Sequence, residues 1–101
     1  MLDEIKNVKK FLDNTYSTMF TSVTPSLIQL NNGGSHIPIL FEFIEFLQVT
    51  EKFNINKFIG QPLNSKTIHE INLEFSSVYL QLNQEGRILD ILEHIYFREK
   101  N

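Results

Sequence analysis

The sequence predicts an α+β fold in which N-terminal helices pack on an antiparallel β-meander. Three observations lead there. Apolar residues recur every three or four positions over residues 2–20, which is helical spacing. Stretches within residues 71–97 alternate apolar and polar in steps of two, which is strand spacing. No linker in the 101 residues is long enough to split them, so residues 1–101 read as a single domain.

The helical stripe consists of Leu2, Ile5, Val8, Leu12, Tyr16 and Met19, widened by Phe11 and Phe20. Asp3 and Glu4 stand in the first turn, where the helix dipole favours carboxylates. Thr24-Pro25 closes the segment, because the residue before a proline avoids helical geometry. A helix over 2–20 is expected, burying Ile5, Val8, Leu12 and Tyr16 against the sheet.

Leu27-Ile-Gln-Leu30 precedes the turn signal Asn31-Asn-Gly-Gly34. Beyond that turn, two structures suit the chain. Ile39, Phe41 and Phe43 alternate like a strand and could pair with residues 27–30, whereas Ser35 and Pro38 suit the entry to a helix. A helix over 38–51 is favoured because its polar stripe also keeps helical spacing. Leu40, Phe41, Ile44 and Leu47 then form one face, and Glu42, Glu45 and Gln48 another. Phe43 and Phe46 fall off that apolar face, which makes them candidates for an interface. Residues 52–63 read as a connector held down by Phe53, Ile55, Phe58 and Ile59, with Gly60 and Pro62 as breakers. Residues 64–70 suit one helical turn capped by Ser65.

The remainder reads as strands. Ile71, Leu73 and Phe75 alternate with polar residues, as do Val78, Leu80 and Leu82, but in the opposite phase. One straight strand cannot bury both sets, so a turn or bulge is placed at Ser76-Ser77. Asn83-Gln-Glu-Gly86 then forms a hairpin loop with Gly86 at positive φ, and residues 87–97 return as the last strand with Leu89, Ile91, Ile95 and Phe97 on one face. Residues 98–101 are expected to fray.

Composition excludes several classes. Hydrophobic residues make up 42% and charged residues 21%, which is globular rather than disordered. Nine phenylalanines and three tyrosines can build a core without cysteine, and the absence of cysteine removes disulfides and thiolate metal sites. A formal charge of −3 argues against general nucleic-acid binding, which needs a basic surface. Lys6, Lys9 and Lys10 cluster, but as a solvated helix face rather than a phosphate site. Early acids and no apolar core mark the N-terminus as something other than a signal peptide, and polar residues interrupt every apolar stretch, so a cytoplasmic protein without a membrane span is expected.

No catalytic set is apparent. His36, His69 and His94 match no metal-ligand spacing, and the adjacent His69-Glu70 and Glu93-His94 pairs point to opposite sides of a strand. Neither zinc nor another cofactor is expected. Ser35, Ser76 and Ser77 lack a nucleophile elbow, and Gly33-Gly34 lacks the spaced glycines and lysine of a phosphate loop. Twelve acids against nine bases point instead to an acidic binding surface, with Glu42, Glu45, Glu74, Glu85, Asp90 and Glu93 as its candidates.

The stretch Phe58-Ile-Gly-Gln-Pro-Leu-Asn-Ser65, leading into Val78-Tyr-Leu-Gln-Leu-Asn-Gln-Glu-Gly-Arg-Ile-Leu-Asp-Ile91, resembles small bacterial immunity-type proteins of contact-dependent growth inhibition systems. Such proteins carry an F-x-G-x-P-L turn before a meander with a G-R-I hairpin, and here the likeness spans about a third of the chain. The resemblance implies a non-enzymatic inhibitor that covers the active cleft of a cognate toxin, with a basic toxin domain, such as a nuclease, as the expected partner. It carries over no individual functional residues. The alternative is a subunit that self-associates within a larger assembly.

Overall fold

The computed structural model describes residues 2–21, 37–58, 60–62 and 64–100. Among them the chain forms four α-helices and two 3-10 turns, with no strand. Helix α1 is Leu2–Thr15, α2 is Ile37–Val49, α3 is Ser65–Gln84 and α4 is Ile88–Lys100. The 3-10 turns are Tyr16–Thr18 and Ile55–Phe58. The expected α+β meander is therefore overturned. Thr24-Pro25, the segment 27–36, Ile59 and Leu63 lie outside the described residues.

The meander fails because residues 71–97 keep the helical period once the whole window is considered. Ile71, Phe75, Tyr79 and Leu82 are buried, at steps of four, four and three, while Leu73 and Leu80 are 56% and 48% exposed. The phase flip at Ser76-Ser77 marks where a period of 3.6 drifts out of step with a period of two. Ser76 sits mid-helix and donates its hydroxyl to the Tyr16 carbonyl at 3.4 Å. In α4 the buried set is Ile88, Ile91, Leu92, Ile95 and Tyr96, again helical in spacing.

The ends of α3 are well specified. Its N-cap is Asn64 rather than Ser65: the Asn64 side-chain oxygen accepts from the Thr67 backbone N–H at 3.0 Å. At the other end Arg87 N–H reaches Leu82 C=O and Gly86 N–H reaches Asn83 C=O, both at 3.0 Å. That is a Schellman stop, with Gly86 at φ +71° in the left-handed position. Gly86 thus takes the positive φ expected of it, but as a break between two helices rather than as a hairpin.

Helix α2 ends by the same device without a glycine. Lys52 N–H bonds to Leu47 C=O at 2.8 Å and Glu51 N–H to Gln48 C=O at 3.1 Å, which puts exposed Glu51 at φ +61°. A side chain in that conformation costs about 1–2 kcal/mol. Glycine would remove that cost but lose about 0.5–1 kcal/mol to backbone entropy. Glu51→Gly is therefore expected to stabilise the fold by about 0.5–1 kcal/mol, read as a raised denaturation midpoint. An unchanged or lowered midpoint would show that the Glu51 carboxylate makes a contact worth more than the strain.

The helices join around an aromatic core. Helices α1 and α2 both pack on α4, and the first 3-10 turn packs on α3. Ile5, Val8 and Leu12 are buried as expected, although against helices rather than a sheet. The chain from Asp13 to Thr21 runs antiparallel alongside α3. The Tyr79 hydroxyl donates to the Asp13 carboxylate, and the Tyr16 ring stacks on Tyr79 with centroids 5.2 Å apart. Further back along α3, buried Asn72 accepts from Phe20 N–H at 2.7 Å and donates to Thr21 Oγ1 at 3.1 Å. A buried amide satisfied on both atoms specifies this alignment, since shifting it would leave both groups unpaired.

Burial works against the Asp13 carboxylate, but the Tyr79 hydroxyl and the Lys9 ammonium together hold its pKa below the ordinary value. Burial and the Asp13 carboxylate push the Tyr79 phenol up. A lowered Asp13 contributes stability above the unfolded carboxylate pKa of 3.8 and loses it as pH falls. A raised Tyr79 contributes below the unfolded phenol pKa of 10.0 and loses it as pH rises. The stability gap between the protein and Tyr79→Phe should thus be widest between roughly pH 4 and pH 10 and narrow on both sides. Denaturant titrations across pH check this, and a gap independent of pH would remove the Asp13–Tyr79 bond from the account.

Candidate functional site

Helix α2 presents its faces differently from the sequence expectation. Leu40, Phe43 and Leu47 are buried, at steps of three and four, and Ile39 joins them. Phe43, expected to be left over for an interface, is in the core, with its ring edge-on to Phe75 at 6.5 Å. Phe41, expected in the core, is 37% exposed, and Val49 at the C-terminal end is 74% exposed. Phe46 is partly buried against the core.

Helix α4 lies antiparallel beside α2. Glu42 pairs with Arg98 at 2.8 Å, and one turn along Phe46 meets the His94 ring at 6.4 Å. Moving up α2 by four residues moves down α4 by four. The outward side of α4 carries Asp90, Glu93 and Phe97, spaced by three and four, with Phe97 40% exposed. This register also brings Asp90 level with the exposed end of α2 at Val49.

Two neighbouring helices thus form one face. Phe41, Val49 and Phe97 are its apolar points, and Glu42, Glu45, Asp90 and Glu93 stand among them. Arg98 neutralises only one of the four carboxylates, and an exposed pair of that kind adds little stability. Among the described side chains, this side of α2 and α4 carries four carboxylates, one arginine and the partly exposed rings of Phe41 and Phe97.

The other two acidic candidates are not part of it. Glu74 is on α3 and pairs with Lys57 of the second 3-10 turn at 2.7 Å, beside a shallow depression of about 560 Å³ that Phe58 and Leu73 also line. Glu85 caps α3 and lies 3.5 Å from Arg87. Their expected kinship with Asp90 and Glu93 depended on a shared sheet. The exposed apolar residues of the α2–α4 face were missed for a related reason: the spacing Leu40–Phe43–Leu47 could have chosen Phe43 over Phe41 for the core.

Arrangements for chemistry remain scattered. His69 is exposed on α3 and His94 is exposed on α4, while His36 lies outside the described residues. Among the described residues no group of three or more His, Asp or Glu side chains could hold a metal ion, and no helix is long and apolar enough to cross a membrane. A second depression, of about 360 Å³, gathers Thr21, Ser65 and His69 but no carboxylate to orient the imidazole.

Comparison with protein-family models, with curated proteins and with solved structures finds no match.

Proposed function

We propose that this chain is a non-enzymatic cytoplasmic binding protein that neutralises a basic protein partner by covering it, as an immunity protein covers its cognate toxin domain. The observation that carries the proposal is the α2–α4 face, where exposed Phe41, Val49 and Phe97 stand among four carboxylates. Apolar anchors supply the energy of a protein interface, and surrounding charges select and steer the partner. A nuclease toxin has a cleft built to attract phosphate, so an acidic face is complementary to it. The Gly86-Arg-Ile88 segment that carries the immunity-type resemblance turns between two helices here, so the proposal rests on the surface and not on a hairpin.

The test is photo-crosslinking in extracts of the source cell. A photoreactive phenylalanine analogue at Phe97 is expected to capture one basic protein, and the same analogue at exposed Asn14 on α1 is not. The captured species is then identified by mass spectrometry and assayed for toxicity with and without this chain. Identical products from both positions, or a captured protein with an acidic surface, would overturn the proposal.

A further inference from the structure

Each exposed ring of the α2–α4 face has a carboxylate one turn away on its own helix. Phe41 and Glu45 stand four residues apart on α2, and Glu93 and Phe97 four residues apart on α4. Residues at that spacing lie side by side on a helix surface. The helices run antiparallel, with Glu42 beside Arg98 and Phe46 beside His94. Both rings therefore fall at one end of the face and both carboxylates at the other. In that register Phe97 stands level with Phe43, about 3 Å along the axis from Phe41 at roughly 1.5 Å per residue.

A cation, a ring and a carboxylate already meet elsewhere in the molecule. Lys57 places its ammonium 5.3 Å from the centroid of the Phe58 ring and 2.7 Å from the Glu74 carboxylate. On the α2–α4 face the ring and the carboxylate occur together twice, and among the described residues neither pair holds a cation. Arg98, the arginine of this face, bonds instead to Glu42 at 2.8 Å. An aromatic face attracts a cation, and a carboxylate beside it supplies a charge-assisted second contact. Guanidinium suits such an exposed pair better than ammonium. It is planar, so it can lie on the ring while its edge donates to the carboxylate, and it is the more weakly hydrated of the two.

We infer that the Phe41–Glu45 and Phe97–Glu93 pairs each seat one arginine side chain of the partner, so that the face selects an arginine-bearing segment over a lysine-bearing one. The inference rests on the function proposed for this face and names the chemistry that the face recognises. Complementary charge alone would accept either base, and the two rings are what separate them.

Hexa-arginine and hexa-lysine peptides are the probes, since they carry equal charge and differ in their ability to stack. NMR titration at low salt gives both affinities and the residues that respond. Two exposed ring contacts should favour hexa-arginine by about 5–30-fold, with shifts centred on Phe41 and Phe97. Phe41→Leu and Phe97→Leu together keep apolar side chains but remove the rings, and should bring the ratio of affinities to about 1. Glu45→Gln and Glu93→Gln together should weaken both peptides. Glu85→Gln, outside the face, is the control and should leave both affinities as they are. None of these residues belongs to the buried core, and circular dichroism with a thermal melt verifies that each variant folds. Equal affinities for the two peptides, no binding of either, or a preference that survives the double leucine variant would each overturn the inference. Those results leave the photo-crosslinking outcome intact, whereas a captured partner with an acidic surface removes the proposed function and not the peptide preference.

Discussion

Phe75→Ala is expected to cost about 3–5 kcal/mol, the range for emptying a fully buried aromatic site. The ring belongs to α3 yet meets rings from three other parts of the chain. Phe20, after the first 3-10 turn, lies 5.4 Å away, Phe43 of α2 6.5 Å and Phe53 of the following connector 5.5 Å, all edge-on. Tyr79 stacks one turn along α3 at 6.4 Å. Edge-to-face pairs add to the burial itself, and no single neighbour can collapse into a space bounded on four sides. Domains of this size are stable by about 5–15 kcal/mol in total, so the variant should lose a large part of its margin. At about 4–8 °C per kcal/mol, its Tm should fall by more than about 10 °C. Phe41→Ala is the control: its ring is 37% exposed, and the expected loss is below about 1 kcal/mol. Equal losses at the two positions would show that the buried side of α2 has been misassigned.

That contrast also shows what the sequence conveys. Helix α1 was legible because its stripe is long and flanked by polar residues, and its buried positions Ile5, Val8 and Leu12 followed directly. The helix over residues 37–49 was legible from its polar stripe, but its apolar side was not. That segment is apolar nearly all round, so spacing alone offered two overlapping stripes, and packing against Phe75 decided between Phe41 and Phe43. Helices α3 and α4 were misread because short windows of helical spacing contain accidental alternation. Ile71, Leu73 and Phe75 alternate perfectly, yet Leu73 faces outward. The contradiction was visible in the phase flip, which a helix through Ser76-Ser77 resolves without any turn.

The acids of the candidate site were recognisable one by one, but their grouping was not. Neighbourhood between elements is set by packing, so Glu42 and Glu45 could be joined to Asp90 and Glu93 only once α2 and α4 were seen side by side. The same packing separates Glu74, which is occupied by Lys57, and Glu85, which is occupied by Arg87. A composition that is only mildly acidic overall thus concentrates carboxylates on one face. Such a face can steer a partner even when the net charge of the chain is small.

The kinetic consequence is the second large effect. Glu45→Lys, Asp90→Asn and Glu93→Lys together should slow association with the partner captured through Phe97 by about 10–10³-fold, the range over which electrostatic steering acts. Asp90 is neutralised rather than reversed because it stands in the first turn of α4, where a cation would oppose the helix dipole. Glu42 is left in place because Arg98 already compensates it. These residues lie on the surface, so the Tm should change little, each substitution contributing within about 0.5 kcal/mol. Dissociation should change less than association, because rim charges act mainly on encounter. For the unmodified protein the association rate should fall steeply as salt rises to about 0.15 M, where charges are screened beyond roughly 8 Å. Reversing Glu74 and Glu85, which lie outside the face, is the matched control and should leave the rate unchanged. Stopped-flow kinetics at several ionic strengths make the measurement. A rate insensitive to salt and to the triple variant, but lost in Phe41→Ala or Phe97→Ala, would assign binding to the apolar points of the face and leave the carboxylates no role in recognition.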